Sequence, residues 1–114
     1  MKNIRIQQDI AQLMILSVLA HNNKMSSYSI GEEINQKGKG GFVIKPVTIY
    51  CALTRLENKG MISVCEETTE KRTRVYYILE NKGKEYFQSL KRDYLSMLRG
   101  TLDVLDVKNI YQAE

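Results

Sequence analysis

The chain has 114 residues, 43% of them hydrophobic, with 17 Lys and Arg against 13 Asp and Glu and a net charge of +4. That is one domain of ordinary size, able to bury a core but too short for a large enzyme with a separate regulatory module. Two cysteines without a CxxC pair and a single histidine, His21, leave too few soft ligands for a structural zinc site, so no metal or cofactor is expected.

The first helix is expected from about Ile4 to His21. Ile6, Ile10, Leu13, Leu16 or Ser17, and Ala20 mark one side, and Met14, Ile15 and Val18 broaden it. So wide an apolar surface needs more than one neighbour. Asn22 and Asn23 supply a stop, and His21 suits the negative helix end. Ser26 or Ser27 can cap a second helix over roughly Tyr28 to Gln36, with Glu32 and Glu33 in its early turns. Its core face reads as Tyr28, Ile30 or Gly31, and Ile34. Gly31 would admit a neighbouring backbone at a cost of about 1 kcal/mol in helix propensity. Lys37 to Gly41 reads as a flexible linker, and it lacks the Gly-Lys-Ser/Thr ending of a phosphate loop.

Phe42 and Ile44 are apolar anchors. Pro46 and Val47 then open a third helix that ends near Lys59, before Gly60. Ile49, Leu53 and Leu56 fall on one face, while Thr48, Cys51, Thr54 and Arg55 look elsewhere. Met61 to Cys65 reads as a strand and Arg74 to Leu79 as a second one, with Lys71, Arg72 and Arg74 between them. Helix, turn, strand, basic tip and strand is the order a winged helix-turn-helix needs to read duplex DNA.

From about Asn81 the pattern becomes helical and stays so. Phe87, Leu90, Tyr94, Met97, Thr101 and Val104 form one stripe, and Leu95, Leu98, Leu102 and Leu105 a second beside it. Two stripes suggest two packing partners. One is the first helix, and the other points to a second copy of the chain. The expected fold is therefore mainly α with a two-stranded β wing: a winged helix-turn-helix DNA-binding domain over 1–79 and a long C-terminal dimerisation helix over 80–114.

Charge follows the same division, with 11 Lys and Arg against 7 Asp and Glu in residues 1–79 and six against six in residues 80–114. Excess positive charge on the winged part suits attraction to phosphates. The longest apolar stretch, Leu13 to Ala20, is interrupted by Ser17 and far short of a membrane span, and no signal-peptide cleavage pattern is seen. The expectation is a cytoplasmic protein with reduced thiols and no membrane partner.

Four segments resemble the PadR family of bacterial transcriptional regulators, particularly short members with one C-terminal dimerisation helix. They are Tyr28-Ser29-Ile30-Gly31-Glu32-Glu33-Ile34, the run from Val47 to Ile62, Arg74-Val75-Tyr76-Tyr77-Ile78-Leu79, and Lys82-Gly83-Lys84-Glu85. The second is the most specific, its Thr-x-Tyr-x-x-Leu-x-x-Leu-x-x-x-Gly order resembling the family's recognition helix and the turn into the wing. There are departures: Val47 stands where glycine is usual, and Glu80 where a capping threonine is usual, with Asn81 a substitute cap. There is no tryptophan. The resemblance implies a DNA-binding regulator, usually a repressor. Relatives that hold flat aromatic drugs between tryptophans set a pattern this chain does not follow.

On this reading the third helix enters the major groove, the wing tip rests on the backbone or minor groove, and two copies read a palindrome. Thr48, Thr54 and Arg55 are candidates for base edges. Arg55 is the only long donor there able to grip guanine with two hydrogen bonds, unless it pairs with Glu57 or a phosphate. Lys45, Lys59, Lys71, Arg72 and Arg74 are assigned to phosphates, against the alternative of a solvated charge run. Tyr50 either donates to a phosphate or is a core tyrosine. Phe87, Leu90, Tyr94, Leu95, Leu98, Leu102 and Leu105 are assigned to the dimer interface. Tyr94 and Met97 are candidates for a small-molecule effector pocket, with plain dimer packing the preferred alternative. Cys51 and Cys65 invite a redox switch, though buried inert thiols are commoner. Catalysis is excluded because nothing places His21 as a base near either thiol. The rival to a DNA-binding regulator is a winged-helix adaptor for other proteins, suggested by Glu66, Glu67 and Glu70 beside the basic tip.

Overall fold

The structure, a computed structural model, describes residues 8–106. Within them six elements follow in chain order: α1 Gln8–Ala20, α2 Ser27–Lys37, α3 Pro46–Asn58, β1 Ile62–Thr68, β2 Thr73–Leu79 and α4 Asn81–Val104. Ile4 and Ile6, expected in the first helix, lie outside the described residues.

The breadth of apolar surface on α1 is explained by its neighbours, since it packs against α2, α3, α4 and β2 together. Ala11, Ile15, Leu16, Val18 and Leu19 are all buried. Its last carbonyls are satisfied locally: the Asn22 amide donates to Val18 O at 2.7 Å, and a His21 ring nitrogen meets Ser17 O at 2.8 Å. One polar side chain is sealed in this core. Gln12 is buried, and its Oε1 has no hydrogen-bond partner among the described residues.

Ser26 caps α2 by accepting from Ser29 N at 3.2 Å. Ile30 and Ile34, one turn apart, then face the core. Tyr28 does not share that face as expected: it is 75% exposed, because two helical positions rotate it roughly 200° from Ile30. Glu32 and Glu33 lie beyond the first turn, where Glu32 accepts from the Tyr28 hydroxyl at 3.1 Å and Glu33 pairs with Lys37 at 3.3 Å. Gly31 admits no backbone either. A Cβ there would meet only Ile49 Cγ1 at an ordinary 3.6 Å.

The expected flexible linker is a hydrogen-bonded turn. Lys37 ends α2, Gly41 N donates to Gly38 O at 2.9 Å, and the Phe42 ring lies where a Gly38 side chain would be. Asn35 then fastens the two helices. Its amide nitrogen donates to Ile44 O at 3.1 Å, and its amide oxygen accepts from Ile44 N at 2.7 Å.

Pro46 sits in the first turn of α3, and Ile49, Ala52, Leu53 and Leu56 form its buried face. Beyond the helix end, Gly60 has a φ of +75°, the left-handed step that lets Met61 N reach Leu56 O at 2.9 Å and Gly60 N reach Glu57 O at 3.0 Å. Both orphan carbonyls are closed, and the chain is aimed into β1.

β1 and β2 are antiparallel, from Ile62 opposite Leu79 to Thr68 opposite Thr73. The hairpin is longer than expected. Polar residues Glu66 to Thr68 continue the ladder beyond the expected end at Cys65, while Arg74 lies in the second strand as expected. Met25 adds a single bridge to the outer edge of β2 at Tyr77.

Glu80 N-caps α4 by backbone geometry alone, and its carboxylate accepts the Ser63 hydroxyl at 2.6 Å. Asn81, expected as a substitute cap, is already helical. Gly83 is buried against the Met61 carbonyl, where no Cβ would fit. Phe87 is only 6% exposed and belongs to the chain's own core, which removes it from the expected dimer face. Leu90 and Tyr94 pack beside it. Among the described residues that packing ends at Tyr94, and Leu95, Met97, Leu98, Val104 and Leu105 are exposed.

Candidate nucleic-acid interface

The outer face of α3 is presented by the packing of its inner one. With four inner residues buried, Tyr50, Cys51, Thr54 and Arg55 are exposed, and Thr48 is half-buried. Tyr50 is 63% exposed, which settles it as a surface residue rather than a core tyrosine. The Thr54 hydroxyl donates to Tyr50 O at 3.0 Å, leaving its oxygen lone pairs outward as acceptors. Arg55 forms no ion pair with Glu57 or any other described residue, so its guanidinium is available. Lys45, at the N-cap of α3, is exposed on the same end as Thr48.

At the far end of the hairpin Lys71, Arg72 and Arg74 are exposed around an open hollow of about 490 Å³ shared with Thr69 and Glu70. The turn is held by Thr69, whose backbone N donates to Arg72 O at 2.8 Å and whose hydroxyl donates to the same oxygen at 3.2 Å. None of the three cations is ion-paired among the described residues.

Lys59 does not join them. It is the C-cap of α3, and its ammonium lies over the Tyr86 ring of α4 at 5.9 Å while its carbonyl accepts from Lys82 at 2.8 Å. Tyr77 of β2 has its phenol held above its ordinary pKa of 10.0, chiefly by burial, then by the charges of Glu57 and Tyr50 on α3.

A family model described as the transcriptional regulator PadR-like family matches residues 15–89, from within α1 to the first part of α4. The chain belongs to the PadR-like family. Members of that family are transcriptional regulators, not enzymes. A transcriptional regulator from Clostridium thermocellum is 27% identical and similar in structure, with a TM-score of 0.72 over 87% of this chain and 92% of that one. Bacillus subtilis PadR, solved in complex with operator DNA, is similar in fold at 21% identity, with a TM-score of 0.64 over 73% of this chain and 47% of that one. An uncharacterized protein of Lysinibacillus sphaericus is 31% identical over 68 residues, 59% of this chain and 62% of that protein. The match thus spans about three-fifths of that curated relative.

The matched segment takes in the buried core from Ile15 to Phe87, leaving out Ala11 and Leu13 of α1, and the wing cations lie inside it. Two surfaces were not legible as part of the site. Tyr28, Gly31 and Glu32 of α2, with Pro46 and Ile49 of α3, line an open groove of about 600 Å³ between these helices. Tyr28 reads as core by composition, and only the exact phase of α2 turns it outward. Lys24, in the turn before α2, reaches the wing and pairs with Glu67. No local pattern signals a contact made so far along the chain.

The remaining candidates sit apart. Tyr94 is half-buried against the core whereas Met97 is 57% exposed, so the two share no enclosed space within one chain. Cys51 is an exposed free thiol and Cys65 a half-buried one. Among the described residues no cluster of His, Cys, Asp and Glu could hold a metal ion, and no helix is long and apolar enough to cross a membrane.

Proposed function

We propose that the chain regulates transcription as a homodimer on a palindromic operator, residues 1–79 contacting DNA and residues 80–114 joining the two copies. The observation that carries this reading is the cationic end of the hairpin that follows α3, where Lys71 and Arg72 in the tip and Arg74 in β2 form no ion pair among the described residues. α3 lies in the major groove with Thr48, Thr54 and Arg55 toward base edges, Arg55 gripping guanine. Tyr50, Lys45 and the wing cations contact phosphates. These fix register and supply affinity without reading sequence.

The exposed leucines of α4 support the pairing of copies. Leu95, Leu98 and Leu105 form a surface with no partner among the described residues of one chain, and Leu102 lies half-buried between them. Two copies related by a twofold axis would bury these residues and set the reading helices about one DNA turn apart. Repression follows if the operator overlaps a promoter. An effector would act by changing that spacing, and in an assembled pair Met97 and Tyr94 line the place where one could bind.

Salt-titrated binding to duplex DNA from upstream of the chain's own gene tests the reading. Affinity should fall steeply and log-linearly with salt. A well-folded protein with no affinity for duplex DNA at low salt would instead support the adaptor role.

A further inference from the structure

The hairpin carries both signs of charge, and one cation from outside it decides which acid is occupied. The antiparallel register sets Glu67 directly opposite Arg74, and Cys65 opposite Tyr76 next along the same face. Directly opposed residues on one face have Cβ atoms about 4.5–5.5 Å apart, close enough for a carboxylate and a guanidinium to join. They do not join here. Met25 is bonded to β2 through Met25 N to Tyr77 O at 3.2 Å and Tyr77 N to Met25 O at 2.8 Å, which brings the adjoining Lys24 alongside the strand. Its ammonium lies over the Tyr76 ring at 4.9 Å and pairs with the Glu67 carboxylate. Arg74 is left with no ion pair among the described residues. The other wing acids are placed differently: Glu66 faces Val75 on the opposite side of the hairpin, and Glu70 is in the tip.

We propose that Lys24 is a positioning residue for DNA binding, which occupies Glu67 and so keeps the Arg74 guanidinium available to a phosphate. This rests on the DNA-binding reading given above. A guanidinium neutralised by its own hairpin releases no counterion from DNA, so loss of Lys24 removes one phosphate contact without touching the groove of the reading helix. Lys24 does this from the side of the hairpin, with Tyr76 holding the ammonium in place by its ring face.

The test is a set of salt titrations on one duplex with the parent chain, Lys24→Met, Lys24→Arg, Glu67→Gln and the double variant Lys24→Met/Glu67→Gln, each checked for fold by circular dichroism. Lys24→Met should flatten the slope of log affinity against log salt by about one unit. It should therefore lose about 3.5-fold less affinity than the parent between 50 and 200 mM salt. Lys24→Arg and the double variant should regain the parent slope, the first by keeping the pair and the second by removing the acid that captures Arg74. A Lys24→Met slope equal to the parent's overturns the proposal. So does a double variant as shallow as Lys24→Met, because Lys24 would then be touching phosphate itself, and so does a Glu67→Gln single variant that flattens the slope equally. A parent chain that binds no duplex at low salt defeats the DNA-binding reading itself, and the proposal with it.

Discussion

Neither Arg72 nor Arg74 is ion-paired among the described residues. Arg72 gives its backbone oxygen to Thr69, and Arg74 stands opposite an acid held by another residue. Replacing both with alanine is expected to weaken binding to every DNA sequence alike and to flatten the salt slope by about two units, with the assembly state unchanged. A loss confined to one preferred sequence would move these residues from phosphate to base contact. Tyr77 offers a second test at this scale. Burial and the charge of Glu57 raise its pKa above 10.0, so the folded chain favours the neutral phenol. That contribution is complete below pH 10 and is lost as pH rises through the raised value. Tyr77→Phe should therefore lose less stability than the parent above about pH 10 in alkaline denaturation curves. Parallel curves would mean that the phenol titrates alike in both states.

Among the elements, α4 depends on a single close approach. Gly83 brings its first turn against the Met61 carbonyl and the Leu79 side chain, which seats Phe87 in the core. Gly83→Ala should cost about 1–3 kcal/mol, read as a lowered urea midpoint at unchanged m-value, because the obstacle is backbone and cannot rotate away. An unchanged midpoint would show that α4 shifts freely. The same element shows how far sequence carries. The helical period, the Ser26 cap, Pro46 and Gly60 act through residues a turn or less away, and each lies where its local chemistry puts it. Tyr28, Phe87 and Lys24 depend on facts that composition does not hold: the phase of a short helix, which of two stripes α1 covers, and a side chain crossing a strand. β1 runs on past Cys65 to Thr68 because polar cross-strand pairs such as Thr68 and Thr73 can extend a ladder whose hydrophobic pattern has already stopped.

The molecule measures 56 × 31 × 20 Å, and α4 accounts for much of its length. Twenty-four residues span about 36 Å, and among the described residues packing against the core engages the part up to Tyr94. Leu98→Asp should convert the proposed pair to single subunits in sedimentation equilibrium while leaving the α1 to α4 core folded, since Leu98 is outside that core. An unchanged mass would place the contact elsewhere. Within each subunit the carboxamide of Asn35 has a further mechanical effect. Because its two polar atoms hold the backbone N–H and C=O of Ile44, α2 cannot tilt away from the start of α3 without breaking two bonds together. α2 and the start of α3 are therefore tied by two hydrogen bonds as well as by the turn between them, so that a shift of one at this point draws on the other.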